Sequence, residues 1–241
     1  MASRIAGDVY LMGEKVEPGT WLAHFAAPIS WGWILAALVP YMIMVGSQTS
    51  TSRINDTRQG RTIHAGWNLG MAVFSTWGAY SMRTLLFNPS QFVAADDPST
   101  IQWAQWALVA YIYSKFFELI DTLMLYVRDR PIGRLHWTHH VLTLAYTVMV
   151  FNEGIGAAQY FAALNYAVHS VMYSYYAALF WRPQWRRWGN YVTVLQLSQF
   201  VAAVYFTWVY STHFSKGALT LTWCMYGYYL AEFTRLLLNR H

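Results

Sequence analysis

The sequence predicts an all-α, polytopic membrane protein with seven transmembrane helices. Three observations carry this. Of the 241 residues, 56% are hydrophobic and only 11% are charged, whereas a soluble domain carries about 25% charged residues. The apolar residues gather into seven runs, most of them long enough to cross a hydrocarbon core of about 30 Å at 1.5 Å rise per residue. Basic residues concentrate in every second loop, which is how membrane orientation is written into a sequence.

In chain order the runs are Trp21–Gly46, His64–Phe87, Ile101–Val127, Leu135–Phe151, Gly156–Trp181, Trp188–Tyr210 and Phe214–Leu238. Residues 1–20 are polar and show no charged-then-apolar signal pattern, so the first run is expected to be an uncleaved anchor. The fourth run is the shortest and is expected to begin below the membrane surface. No low-complexity tract or long linker interrupts the chain, so residues 1–241 read as a single integral membrane domain. Aromatic residues make up 18%, with 13 Trp and 18 Tyr, many near the ends of the runs, as in interfacial belts. The single cysteine, Cys224, excludes an internal disulfide framework.

Loop charge sets the direction. One side holds Arg53, Arg58, Arg61, Arg128, Arg130, Arg134, Arg182, Arg186, Arg187, Arg235 and Arg240; the other holds Arg4, Lys15 and Lys216, with Asp96 and Asp97 in its long loop. The N-terminus is therefore expected outside or in a lumen and the C-terminus in the cytosol. The one usable glycosylation sequon, at Asn55, falls on the cytosolic side and should stay unmodified. The surplus of basic residues is accounted for by topology, and no nucleic-acid partner is expected.

Polar groups inside the runs form stripes. Lys115, Glu118, Asp121 and Thr122 share a face of the third run; Asn165, His169, Tyr173 and Tyr176 share one of the fifth; Thr193, Gln196 and Gln199 share one of the sixth. Glu232 and Arg235 lie in the seventh, and Asn68 and Arg83 in the second. By helical rise these groups sit mainly between the cytosolic edge and the midplane. Such polarity suits a site that takes a charged head from the cytosol and an apolar tail deeper in. Blander readings exist for parts of it: Lys115–Glu118 as a structural ion pair, and the glutamines as glue between helices.

The fourth run opens on His136-Trp-Thr-His139-His140, which holds three of the eight histidines. On a helix all three imidazoles share one face. Ionisable groups inside a membrane are costly and mark function. Imidazoles at this spacing can ligate a metal, as in membrane His-box desaturases and hydroxylases. Those proteins carry several separated boxes, and no second one occurs here. The other use of imidazole is proton transfer or nucleophilic attack, for which its neutral form is suited near neutral pH.

Four segments follow one another in order: Lys115-Phe-Phe-Glu118-Leu-Ile-Asp121-Thr122, His136-Trp-Thr-His139-His140, Asn165-Tyr-Ala-Val-His169 continuing to Tyr176, and Thr193-Val-Leu-Gln196-Leu-Ser-Gln199. Together they closely resemble the very-long-chain fatty acid elongase family, the membrane 3-oxoacyl-CoA synthases of the endoplasmic reticulum. The resemblance covers about residues 64–238. Pro131 stands where polyunsaturate-elongating members usually carry Gln, which is similar to the saturated and monounsaturated branch.

The resemblance implies that helices two to seven enclose a tunnel for the acyl chain. It implies condensation of a long-chain acyl-CoA with malonyl-CoA, releasing CO2 and CoA and giving a 3-oxoacyl-CoA two carbons longer. In the favoured scheme His139 takes the acyl group as an acyl-imidazole. His169 assists, His136 and His140 orient the nucleophile, and Asp121 or Glu118 accept hydrogen bonds behind them. Asn165, Gln196 and Tyr173 are candidate donors to the thioester oxygen, while Lys115 and the loop arginines would meet CoA phosphates. Tyr176, Gln199, Glu232 and Arg235 complete the expected substrate contacts. The open alternatives are a ternary-complex acid/base mechanism, a His-box metalloenzyme, and a seven-helix receptor or transporter. No cofactor is expected beyond the CoA thioesters themselves. The expected partners are acyl-CoA, malonyl-CoA, the bilayer, the reductases and dehydratase of the elongation cycle, and a second copy in a homodimer. The expected location is the endoplasmic reticulum membrane, N-terminus lumenal and C-terminus cytosolic.

Overall fold

The computed structural model describes residues 3–5, 8–11, 14–48, 57–88, 98–155 and 157–239. Asn55 with its sequon, Arg53, Asp96, Asp97 and Arg240 lie outside the described residues. The N-terminal segment is not featureless. It forms a three-stranded antiparallel meander, β1 Ser3–Ile5, β2 Asp8–Leu11 and β3 Glu14–Val16, paired in sequence order with Val9 opposite Val16. Among the described residues every later element is a helix.

All seven apolar runs fold as helix, but three are broken. The first divides into α1 Trp21–Phe25 and α2 Trp31–Ser47. Pro28 lies in the gap, where it cannot donate into a helix, and Ser30 restarts the chain by accepting from the Gly32 amide at 3.1 Å. The second run divides into α3 Arg58–Ser81 and α4 Arg83–Phe87, and the third into α5 Pro98–Phe117 and α6 Leu119–Val127. The remaining four are single helices: α7 Arg134–Asn152, α8 Ala158–Trp181, α9 Gly189–Val209 and α10 Lys216–Leu238. Short 3-10 turns, Pro183–Trp188 and Ser211–His213, lead out of α8 and α9.

The helix that carries the histidine pentapeptide is bounded by two matched caps. Before it, α6 ends with Asp129 at φ 50, and the Arg130 amide donates to Leu125 O at 2.9 Å. After it, Gly154 takes φ 68 and the Ile155 amide donates to Val150 O at 3.0 Å. Both are Schellman closures, which need a residue in the left-handed region. Gly154 takes it without a Cβ clash, and Asp129 is of a residue type that tolerates it.

α2 straps this helix at both ends. Gln48 donates to Arg130 O at 2.6 Å and accepts from the Ile132 amide at 2.9 Å. At the far end the Ile29 amide donates to Asn152 Oδ1 at 3.0 Å, and Asn152 Nδ2 donates to Ile29 O at 2.8 Å.

Two apolar clusters flank a central cavity. One joins Ile34, Leu85, Leu108, Ile112, Leu144, Val148 and Tyr166. The other joins Tyr146, Phe161, Phe200, Phe206, Tyr226, Tyr229 and Phe233. α3 packs along α8 most extensively, and the backbone of Gly78 lies directly under the Tyr166 ring. By length and hydropathy together, one helical run among the described residues, Pro183–Val209 with mean hydropathy 1.5, suffices to cross a bilayer; Trp31–Ser47 is apolar but shorter. The polar stripes lower the hydropathy of the rest. Large apolar side chains nevertheless cover the outside, including Trp33, Ile43, Val73, Tyr191, Val201 and Trp208. Exposed apolar surface on this scale marks a membrane or partner contact.

Candidate active site

Two adjoining interior spaces share part of their lining among the described residues. The outer one has a volume of about 710 Å³ and is rimmed by Arg61, Arg128, Arg130 and Arg186. Its wall carries Asp121, His136, His139, His140, Asn165, His169, Tyr173, Tyr176, Gln196 and Gln199. The inner one, about 50 Å³, runs between α5, α7, α8 and α10 and is lined mainly by aromatic and aliphatic side chains. His139, Asn165, Gln199 and Phe200 line both, so they form the neck between them.

Behind the neck lies a buried polar network. Lys115 Nζ donates to Glu118 Oε1 at 2.5 Å and to Asn165 Oδ1 at 2.8 Å. The Asn165 amide nitrogen lies 3.2 Å from His169 Nε2, and His169 Nδ1 lies 3.6 Å from Glu118 Oε1. These contacts fix the roles. Asn165 must present its oxygen to the ammonium, so its NH2 faces His169 and the cavity. His169 then accepts at Nε2 and turns Nδ1–H toward the carboxylate. The phosphate contact expected of Lys115 is not available to it. It is 2% exposed, lines neither space, and its charge is neutralised by Glu118, as a buried ammonium requires.

Asp121 is held by two donors, Trp67 Nε1 at 2.6 Å and the Tyr173 hydroxyl at 2.5 Å. Its carboxylate thereby ties α3, α6 and α8 together at the cavity wall. It does not bond a histidine of the pentapeptide. That part falls to Thr122, whose Oγ1 lies 2.9 Å from His136 Nε2. His136 and His140 stack edge-to-face with centroids 4.6 Å apart. His139 is different. Its ring packs on Tyr229 at 4.8 Å, and its buried Nδ1 has no hydrogen-bond partner in the protein. Of the pentapeptide histidines it alone stands at the neck.

Gln196 reaches Met172 Sδ at 3.2 Å across α8 and α9. Glu232 and Arg235 are not brought into the site. Glu232 accepts from Arg134 at 2.8 Å and from Arg235 at 3.1 Å, both arginines being well exposed. They form an ion cluster that joins the start of α7 to the end of α10. Among the described residues no group of three or more His, Cys, Asp or Glu side chains could hold a metal ion. Cys224 is exposed, outside both spaces.

Sequence reasoning missed several lining residues. His64 lines the outer space and is in hydrogen-bond contact with Arg128. Tyr229 and Gln159, which line the inner space, and Trp67, which bonds Asp121, carry no motif. Their only signal is a polar atom in an apolar run.

The profile described as "ELO: GNS1/SUR4 family" matches residues 28–241. The chain belongs to the ELO family. The match begins at α2, so it includes the helix that straps α7, which the motif resemblance alone did not reach. The chain is 37% identical over 151 residues to "Long chain fatty acid elongase 2" of Caenorhabditis elegans, covering 58% of this chain and 54% of that protein. It is 30% identical over 229 residues to "Very long chain fatty acid elongase 6" of Drosophila melanogaster, covering 86% and 71%. Against "Very long chain fatty acid elongase 3" of Homo sapiens it is 28% identical over 219 residues, covering 86% and 79%. The match thus spans about half the length of the nematode protein. ELO elongases are membrane proteins of fatty acid elongation, and the apolar exterior of this member agrees with that setting.

Proposed function

We propose that this ELO member is a condensing enzyme. It joins a long-chain acyl-CoA to malonyl-CoA and releases CO2, CoA and a 3-oxoacyl-CoA two carbons longer. The observation that carries this reading is His139: a buried imidazole with an unpartnered nitrogen, at the neck between a wide arginine-rimmed space and a narrow apolar one. The acyl chain threads the inner space while the nucleotide head stays at the mouth, where guanidinium groups suit phosphate.

The steps follow. The lone pair of His139 attacks the thioester carbonyl; a C–N bond forms, the C–S bond breaks, and CoA leaves. The Asn165 NH2 is positioned to donate to the developing oxyanion. Malonyl-CoA then loses its carboxyl group as CO2, leaving an enolate. The enolate carbon attacks the acyl-imidazole, a C–C bond forms, the C–N bond breaks, and the imidazole is regenerated. His169, backed by Glu118, is positioned to hold or move a proton beside this centre.

In this reading the helical runs are seven membrane spans of one domain in the endoplasmic reticulum, arginine-rich loops cytosolic and N-terminus lumenal. The product passes to the reductases and dehydratase of the cycle, and the chain self-associates as a homodimer. Incubation with acyl-CoA alone, followed by intact-mass and peptide analysis, tests the scheme. A CoA-free acyl adduct on His139 is expected. Condensation that proceeds without any such adduct would favour the ternary-complex route, and stoichiometric iron or zinc needed for turnover would overturn the reading.

A further inference from the structure

We infer that the inner end of the cavity is a hydroxyl-binding subsite built on Gln159. The residue sits in the first turn of α8, ten positions before His169, so about 15 Å deeper at the helical rise. It is 2% exposed and lines the inner space with Val150, Phe151 and Phe161. Both its Nε2 and its Oε1 are buried without a partner in the protein. Native proteins satisfy nearly all buried polar groups, so such an exception calls for a ligand.

Two tyrosine hydroxyls of the same lining are already paired. Tyr146 bonds Thr222 at 2.6 Å, and Tyr229 bonds Thr143 at 2.9 Å. Among the described residues the other buried side-chain atom without a partner is Nδ1 of His139, a residue that lines the same space at the neck. The space therefore has a residue with an unmet polar group at each end, and the wall between is mainly aromatic and aliphatic, with the Tyr146 and Tyr229 hydroxyls paired. An amide offers a donor and an acceptor side by side, and a single hydroxyl answers both. A methyl group answers neither. The hydroxyl has two sources: a water held beyond the tip of an alkyl chain, or a terminal hydroxyl on the chain itself. A space of about 50 Å³ has room for either, since one water needs only about 10–15 Å³.

The inference rests on the acyl-tunnel reading above, and one experiment separates the two. Malonyl-dependent elongation is measured for CoA thioesters of saturated acids from dodecanoate to octadecanoate. Each is offered with a methyl end and with an ω-hydroxyl end, to the full chain in detergent and to its Gln159→Leu and Gln159→Met variants. At the length that reaches Gln159, the hydroxyl-ended chain should have a kcat/KM about tenfold above its methyl-ended partner, the worth of one hydrogen bond. Both variants should abolish that advantage. A longest accepted methyl-ended chain that increases in both variants, with no hydroxyl preference in the wild type, supports the subsite and identifies water as its occupant. If neither the preference nor the length limit differs from wild type, the subsite is overturned. It is also overturned if both variants melt well below wild type, since Gln159 would then be paired within the protein. No elongation of any chain by the wild type would instead sink the condensing reading.

Discussion

Thr122 Oγ1 lies 2.9 Å from His136 Nε2 and also 2.9 Å from the Tyr41 hydroxyl. The first histidine of the pentapeptide is therefore oriented from α2, through a threonine on α6. Tyr41 lines neither space, and its hydroxyl reaches His136 through Thr122. Tyr41→Phe should lower kcat of the condensation several-fold while KM for acyl-CoA holds, as expected for losing one neutral hydrogen bond of about 1 kcal/mol. Thr122→Val should cost more, because it removes both bonds, and Thr122→Ser should restore activity. Equal changes in kcat and KM would argue against positioning.

Lys115→Met should destabilise the protein strongly. It leaves the Glu118 carboxylate buried without its ammonium, and breaking one partner of a buried pair costs about 3–5 kcal/mol. The double variant Lys115→Met, Glu118→Gln should regain much of that stability in thermal melting, yet stay impaired in turnover, because His169 loses its carboxylate neighbour.

Gly78→Ala should separate α3 from α8. A Cβ there would collide with the Tyr166 ring, which is fixed by its hydroxyl bond to Ala107 O at 2.9 Å. Overpacking of this kind costs about 1–3 kcal/mol. A lowered melting temperature, relieved in Gly78→Ala, Tyr166→Leu, would confirm the contact.

Cys224→Ala should keep wild-type activity, since the thiol is exposed and remote from both spaces. His139→Ala should lose condensation and adduct formation together. The opposite pair of results would move the nucleophile from imidazole to thiol.

Much of this was legible in the sequence, for a definable reason. Periodicity records which residues share a helix face, so the stripes of α5 and α6, α8 and α9 were read correctly as stripes. The bounds of α7 were close too, Leu135–Phe151 against Arg134–Asn152, because polar turns bracket that run. Hydropathy does not record where a helix breaks, so the gap at Pro28 and the breaks at Met82 and Glu118 were invisible. Nor does a shared face say how deep a side chain ends. Lys115 was expected to meet CoA phosphates and lies sealed behind Asn165. Glu232 and Arg235 were expected in the site and lie in an exposed cluster with Arg134. The short meander before α1 was missed because its strands are only three or four residues long.

The two clasps around α7, Gln48 on the turn before it and Ile29 on Asn152 at its end, fix more than a position. A rod pinned at both tips cannot slide or pivot along its length. The opposite wall is tied to it as well, since Thr143 and Tyr146 of this helix bond Tyr229 and Thr222 of α10. A chain that passes the neck must therefore fit the width that these ties set.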